Sequence, residues 1–170
     1  MKGYKLFRQD KNGNLHALYI LAKEDLPIGV WLEAKEGERA SDGRVKKTKG
    51  GTLAYRPGWH ICPDIPYETH IGKKGADGKI AFLPNDLVWA EVEYTDKINY
   101  QAEADGNGNG WDACLKYIPK DGYYQFKTNG SMYGKWVIAG GMKINRILSD
   151  DEVYELCTER GLTPLPREVA

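Results

Sequence analysis

A dense segment between Tyr55 and Lys73 holds much of what could do chemistry in this sequence. His60, Cys62, Asp64 and His70 lie within eleven residues, and imidazole, thiolate and carboxylate groups are the ligands that zinc prefers. The spacing, a His-X-Cys pair followed by a histidine eight residues later, matches no common zinc pattern. We therefore predict no metal site, and the alternative for these side chains is local hydrogen bonding in an ordered, irregular segment.

Two carboxylates form a second candidate site. Glu91 and Glu93 lie in the apolar run Leu87–Tyr94, and residues two apart on a strand point to the same face. Mutual repulsion between adjacent carboxylates raises the pKa of one of them, which suits general acid or base catalysis. The alternative interpretation is a solvated strand face.

Aromatic residues are a third kind of candidate. Trp59 and Tyr67 lie inside the dense segment, and Trp89 and Trp111 follow it in the sequence. Flat rings of this kind stack on flat heterocycles such as a nucleobase or nicotinamide. Packing in the hydrophobic core is the alternative for the same residues.

Local patterns predict the strands that position these residues. Alternating apolar residues on both sides of Asp10–Gly13 predict a β-hairpin, and Leu87–Tyr94 predicts a central strand. Two further runs, Tyr123–Thr128 and Lys135–Leu148, are joined by a segment that contains Asn129-Gly130 and predict a second hairpin. Within the second run, Gly140-Gly141 marks a bulge or a close backbone approach.

A C-terminal helix is predicted after these strands. Ser149 and Glu152 match a capping box, and Gly161 suits the helix end. Val153 and Cys157 share one face, which is typical of an amphipathic helix that docks on a sheet. The element order predicts an α+β fold, with a mostly antiparallel sheet of two hairpins plus a central strand and a C-terminal amphipathic helix.

Composition predicts one domain over residues 1–162 and limits its partners. The charged, glycine-dotted segment 34–51 predicts a mobile loop, and residues 163–170 are expected to fray. The 24 basic and 24 acidic residues cancel, so neither nucleic acid nor an anionic membrane is expected as a partner. Three cysteines without a CxxC pair indicate a reducing compartment, and no apolar stretch approaches the roughly 18 residues of a membrane span. A cytoplasmic protein is predicted.

Three segments in order resemble the ADP-ribosyltransferase-like fold. Tyr4–Arg8 looks like its first strand, which ends in Arg or His, and Val88–Glu93 looks like a core strand. Pro57–His60 through Tyr67–Ile71 resembles the second strand and following turn, where an aromatic side chain clamps nicotinamide. The Gly-Trp-His string is also similar to a segment in small uncharacterised proteins of bacteriophages and prophages.

The resemblance implies NAD as a cofactor and a set of binding residues. Arg8 would hold the NAD phosphates, and His60 or Tyr67 would contact the ribose or nicotinamide. Trp59 and His70 complete the candidate nucleotide-binding residues.

The resemblance also implies a catalytic carboxylate. The family places a glutamate at the start of a C-terminal strand, and the corresponding stretch here has Lys135 in that neighbourhood. Glu91 and Glu93 match the Glu-X-Glu string of some members but come earlier in the chain. They are the catalytic candidates, and binding without turnover is the alternative.

Two functions therefore remain open. The first is a small cytosolic, phage-type nucleotide-binding domain that transfers ADP-ribose from NAD or binds a related nucleotide. The second is a non-enzymatic interaction protein, such as an anti-defence factor that blocks a host protein.

Overall fold

The computed structural model describes residues 1–68, 71–127 and 135–168. Thirteen strands and two α-helices follow one another in these ranges, with a 3-10 helix at Gly110–Asp112. The strands are β1 (Lys2–Gln9), β2 (Leu15–His16), β3 (Trp31–Glu33), β4 (Val45–Lys46), β5 (Thr52–Leu53), β6 (Trp59–Ile61), β7 (Lys73–Lys74), β8 (Ile80–Phe82), β9 (Leu87–Tyr94), β10 (Ile98–Asn99), β11 (Gly122–Lys127), β12 (Lys135–Ala139) and β13 (Gly141–Ile147), and the helices are α1 (Gln101–Gly106) and α2 (Asp150–Thr158).

Two sheets form the body of the α+β fold. The first has the strand order β2-β1-β9-β13-β3 and is antiparallel throughout. The second has the order β10-β11-β12-β6, in which only the β10–β11 pair is parallel. The pairs β4–β5 and β7–β8 form two small antiparallel sheets. The fold is thus mostly antiparallel, as predicted, with more than the two expected hairpins.

The two large sheets meet at a corner next to β6. Tyr4 of β1 and Cys62, which directly follows β6, exchange two backbone hydrogen bonds of 2.8 Å. This bridge brings the dense segment of the sequence onto the first strand of the chain.

Side-chain alternation creates separate cores on the two faces of the five-stranded sheet. Phe7 and Val92 point toward the four-stranded sheet and pack with its buried Ile61. Leu6 and Trp89 point the other way, into the core beneath α2.

Helix α2 begins and ends as the sequence predicts. The Ser149 hydroxyl accepts a hydrogen bond from the Glu152 amide, and the Glu152 carboxylate accepts one from the Ser149 amide. Val153 and Cys157 are buried on the sheet. Gly161 follows the helix with φ +73°, a left-handed conformation that glycine adopts at low cost.

The predicted second hairpin is present, because β11 and β12 pair antiparallel. The run Lys135–Leu148, predicted as one strand, is however two strands, β12 and β13, in different sheets. It breaks at Gly140, where an added Cβ would lie 2.3 Å from the Pro119 carbonyl oxygen. This close approach of two backbones turns the chain from the four-stranded sheet into the five-stranded one. The predicted turn at Asn129-Gly130 lies outside the described residues.

The C-terminal segment differs from the frayed tail that was predicted. The Leu83 amide donates to the Pro166 carbonyl, and the Glu168 amide donates to the Leu83 carbonyl. The Arg167 guanidinium donates to Asp150 at the start of α2. Short-range composition gives no sign of the contacts with Leu83 and Pro84, because they join the tail to a segment about eighty residues away.

The segment expected as a mobile loop, 34–51, contains β4 and part of its hairpin. Its residue Val45 is buried, and Gly37 lies close to the Val45 side chain. In the described ranges, no helix has the length and apolar character needed to cross a membrane.

Candidate ligand cavity

A cavity of about 560 Å³ lies beside β6, between the first strand and the loops that precede β3 and β6. We call it the aromatic cavity because rings form much of its wall. The aromatic and ionisable lining residues are Lys5, Tyr19, Glu24, Asp25, Trp31, Glu33, Lys35, Glu36, Tyr55, Arg56, Trp59, His60, Glu68, Trp111, Phe126 and Trp136. Its volume is in the range of pockets that enclose small organic ligands.

One wall is a cluster of rings packed edge to face around His60. The His60 ring centroid lies 5.9 Å from that of Phe126 and 5.6 Å from that of Trp136. The Arg56 guanidinium lies 5.4 Å from the Trp111 ring centroid and 5.6 Å from that of Phe126, and it donates to the Trp111 carbonyl oxygen. This wall offers flat apolar surfaces and one cation.

The wall positions His60 firmly. The Nε2 atom of its ring lies 2.9 Å from the Arg56 carbonyl oxygen, as the donor in that bond. Burial lowers the pKa of His60 to about 4, and the cations Lys5 and Arg56 act in the same direction. His60 is therefore a neutral, hydrogen-bonded ring at physiological pH.

Two ionisable side chains, Lys5 and Glu68, enter the cavity from different elements. Lys5 shares the inner face of β1 with Phe7, and its Nζ donates to the His60 carbonyl oxygen at 2.7 Å. Glu68 lies in the dense segment, and its Oε1 accepts from the Cys62 thiol at 3.6 Å. Protein atoms surround both side chains. Each is partly rather than fully buried, because it lines the cavity.

This enclosure changes how the polar groups titrate. Loss of hydration raises the pKa of Glu68 to about 7, against the opposing attraction of Lys5. The same effect lowers the pKa of Lys5. The pKa of the Cys62 thiol is raised well above its ordinary value, first by burial and then by the neighbouring Glu68 carboxylate, so that Cys62 is a poor nucleophile.

The predicted nucleotide-binding residues divide between several places. His60 and Trp59 line the aromatic cavity, and the Trp59 indole donates to the Leu32 carbonyl oxygen at 2.9 Å. Tyr67 instead lines a separate cavity beneath α2. His70 lies outside the described residues.

Arg8 lies in neither of those cavities. Its Nε donates to the Asp86 carboxylate at 3.2 Å, beside a third cavity of about 460 Å³. Arg8 pairs with Leu87 across the sheet, whereas Glu93 pairs with Lys2. Six strand positions separate Arg8 from Glu93, about 20 Å at the usual rise, so these two candidates do not meet in one site.

Glu91 and Glu93 lie on the face of β9 that points away from Lys5. Lys5 pairs with Ala90, and the side chains next to Ala90 point to the opposite face. The Asn145 amide donates to Glu91 at 3.1 Å, and the Lys143 ammonium lies 2.9 Å from Glu93. The expected repulsion between the carboxylates is not what sets the pKa of Glu93, because the hydrogen bond from Lys143 lowers it.

Three charged residues of the cavity lining, Lys5, Arg56 and Glu68, were not among the predicted site residues. Lys5 stood out only as part of an alternating strand, although a lysine on the same strand face as Phe7, two positions later, was a usable signal. Glu68 and Arg56 carried no comparable signal, because their burial depends on the bridge between β1 and Cys62.

A second polar cluster lies at the first hairpin. Asp10, His16 and Asp25 place one potential ligand atom each within 4.8 Å of one another. The His16 Nε2 atom lies 2.8 Å from the Asp10 carboxylate, and the Nδ1 atom lies 2.9 Å from the Glu24 carbonyl oxygen. The bond to Asp10 raises the pKa of His16, so a protonated His16 between two carboxylates accounts for this arrangement.

No protein-family model, curated protein or solved structure matches the chain. The case for a function therefore rests on the geometry of the aromatic cavity.

Proposed function

We propose that this chain is a small cytoplasmic binding protein for a nucleotide or a related ligand with a flat ring, and that the ligand occupies the aromatic cavity. The observation that carries the proposal is one enclosed space that combines ring faces with buried polar groups. Ligand sites are typically concave, mostly apolar and furnished with a few fixed polar groups. The Gly-Trp-His string is similar to a segment in small proteins of bacteriophages and prophages, and a phage-type origin of this chain belongs to the same proposal.

The geometry favours binding over ADP-ribose transfer from NAD. Transfer would require an ionised carboxylate near the ribose of the bound nucleotide. The predicted catalytic residues Glu91 and Glu93 lie on the other face of the sheet from Lys5, and burial raises the pKa of Glu68, which does line the cavity, to about 7. Lys135, at the start of β12, offers no carboxylate. NAD is thus proposed as one of the ligands to test rather than as a substrate.

A thermal-shift series with NAD, ADP-ribose and AMP tests the proposal. A ligand at one hundred times its dissociation constant adds roughly 2.7 kcal/mol to the free energy of unfolding. For a domain of this size, that corresponds to a rise in Tm of about 5–10 °C. If none of the three ligands raises the Tm, the proposed function is overturned.

A pair of aromatic variants locates the binding. Trp111→Ala removes an exposed ring from the cavity wall and is expected to weaken binding. Tyr154→Ala removes a similarly exposed ring on α2, away from the aromatic cavity, and serves as the matched control. Equal affinities in the two variants would place the ligand elsewhere.

A second candidate function is supported by one exposed patch. Ile28, Val30 and Trp31 are 48%, 50% and 52% exposed at β3, which forms an edge of the five-stranded sheet. An unpaired strand edge with apolar side chains is suited to pairing with another protein, as an anti-defence factor would require. Val30→Asp is expected to abolish any effect of the expressed chain on a bacterial host, without loss of folding, if this function holds.

A further inference from the structure

Lys5 presents hydrogen-bond donors to the aromatic cavity. An ammonium group carries three donors, and one of them is bound to the His60 carbonyl oxygen at 2.7 Å. That bond anchors the group beside the ring wall. Lys5 lies on β1 between Tyr4 and Leu6, and the fully buried Phe7 follows it on the same face of the strand, which restricts its movement.

Glu68 presents the complementary acceptor. Its Oε1 interacts with the Cys62 thiol, whereas its Oε2 is buried and accepts no hydrogen bond from the described residues. A buried carboxylate oxygen without a donor costs free energy that a donor from a ligand would recover. Glu68 is one of the residues that line the aromatic cavity, and it also lines the separate cavity beneath α2.

Lys5 and Glu68 do not satisfy each other. Among the ion pairs of the described residues, which extend to 4.0 Å, there is none between the Lys5 ammonium and the Glu68 carboxylate. The two groups nevertheless influence each other electrostatically across the same space. A donor and an acceptor that form no ion pair with each other therefore line one cavity that also has aromatic walls.

We propose that Lys5 and Glu68 recognise the polar edge of a flat ligand in which a hydrogen-bond acceptor lies next to an amino group. Aryl carboxamides and amino-substituted nitrogen heterocycles have this edge. The ligand acceptor faces Lys5 Nζ, the amino group faces Glu68, and the ring lies against the aromatic wall. This inference rests on the proposed function and specifies the class of ligand for the same cavity.

Ligands with only one kind of polar group fit this arrangement poorly. A carboxylate on the ring would accept from Lys5 but would place a second negative charge against Glu68. An amidinium would donate to Glu68 but would place a second positive charge against Lys5. Each mismatch leaves a buried group unpaired or repelled, which typically costs about 1–3 kcal/mol.

Three probes of nearly equal shape separate these cases. Benzamide has the adjacent acceptor and donor, benzoate has acceptors only, and benzamidine has donors only. Dissociation constants are measured by protein-observed NMR titration at about pH 8, above the pKa of about 7 for Glu68. Wild-type protein is expected to bind benzamide about tenfold more tightly than either charged probe, since tenfold corresponds to about 1.4 kcal/mol.

Two variants are expected to reverse the ranking in opposite directions. Lys5→Met removes the cation and is expected to make benzamidine the tightest probe. Glu68→Gln removes the anion and is expected to make benzoate the tightest. Lys2→Met, on an exposed position of β1, and Glu155→Gln, on the exposed face of α2, are matched controls that keep the wild-type ranking.

The wild-type ranking tests the inference even if a variant does not fold. Benzoate or benzamidine binding as tightly as benzamide to the wild type overturns it, as does a ranking that both folded variants leave unchanged. Nucleotide stabilisation without any benzamide binding overturns this inference and leaves the proposed function standing. Failure of all nucleotides and all three probes overturns both.

Discussion

Replacing Glu68 by glutamine gives a direct test of the enclosed acid on which the site depends. Burial raises the pKa of Glu68 from its usual 4.5 to about 7. Because the pKa is higher in the folded chain, the protonated carboxyl contributes stability that is fully present below about pH 4.5. That stability is lost as the pH rises through about 7.

The magnitude follows from the two pKa values. The interval from 4.5 to about 7, at about 1.4 kcal/mol per pH unit, corresponds to about 3 kcal/mol. Glutamine keeps the shape of the side chain but has no charge to desolvate. We therefore expect Glu68→Gln to gain about 2–3 kcal/mol over the wild type between about pH 5 and about pH 8.

The assay is urea unfolding of both proteins at these two pH values, followed by tryptophan fluorescence. The titratable groups that act on Glu68 are Lys5 and Cys62, and Tyr19 also senses its charge. Because the pKa of His60 is lowered to about 4, its contribution to stability has the opposite dependence on pH. That contribution is present in both proteins, so it cancels when the free energy of unfolding of the wild type is subtracted from that of Glu68→Gln.

Glu155→Gln is the control, because it removes an exposed carboxylate from α2. It is expected to change the free energy of unfolding by the same small amount at both pH values. If Glu68→Gln behaves like this control, Glu68 is not enclosed as described, and the inference built on it is refuted.

Two further changes test the fold that positions the cavity. Gly140→Ala is expected to destabilise by about 1–3 kcal/mol or more, because its Cβ would lie 2.3 Å from a carbonyl oxygen of the backbone. Gly106→Ala meets nothing within 4 Å at the end of α1 and is expected to be neutral or to stabilise by up to about 1 kcal/mol, so equal losses in urea unfolding would contradict the description of the Gly140 junction. Ser149→Ala removes the capping hydroxyl of α2 and is expected to cost about 1 kcal/mol, visible as a fall in Tm of about 2–4 °C; an unchanged Tm would show that the capping bond contributes little.

The predictions that succeeded depend on short stretches of sequence. Leu87–Tyr94 forms a strand with the predicted bounds, because it is a central strand with β1 and β13 at its edges and its apolar side chains are buried in the cores on both faces of the sheet. The capping box at Ser149 also forms as predicted, since it needs only residues three apart. Local patterns of this kind fixed the fold class and the first hairpin.

The predictions that failed depend on contacts between distant residues. The Lys135–Leu148 run has the composition of one strand, and only the approach of Pro119 to Gly140 divides it between two sheets. The tail pairs with Leu83 for a similar reason. The Gly140-Gly141 pair indicates a bulge or a close backbone approach, but no short window of sequence identifies Pro119 or Leu83 as the partner.

Two residues that line the cavity, His60 and Trp59, were among the predicted candidates, whereas its polar residues Lys5 and Glu68 were not. His60 and Trp59 do line a cavity, as the density of the segment around them suggested. Arg8 and Glu93 lie at opposite ends of the paired strands β1 and β9. The resemblance on which they were chosen gives an order of segments along the chain and does not report the distance between their side chains. Lys5 and Glu68 are sixty-three positions apart and come together through the bridge between Tyr4 and Cys62.

The energetic cost of Lys5 and Glu68 is itself an argument that they serve binding. Enclosing a cation and an acid without a mutual ion pair destabilises a fold, and well-packed apolar residues in such positions are often neutral or stabilising. The same inner face of β1 carries Phe7, which is fully buried, so an apolar side chain is compatible with this layer of the core. Stability therefore does not account for a lysine and a glutamate that face an aromatic cavity. A ligand that accepts a hydrogen bond from Lys5 and donates one to Glu68 accounts for both residues.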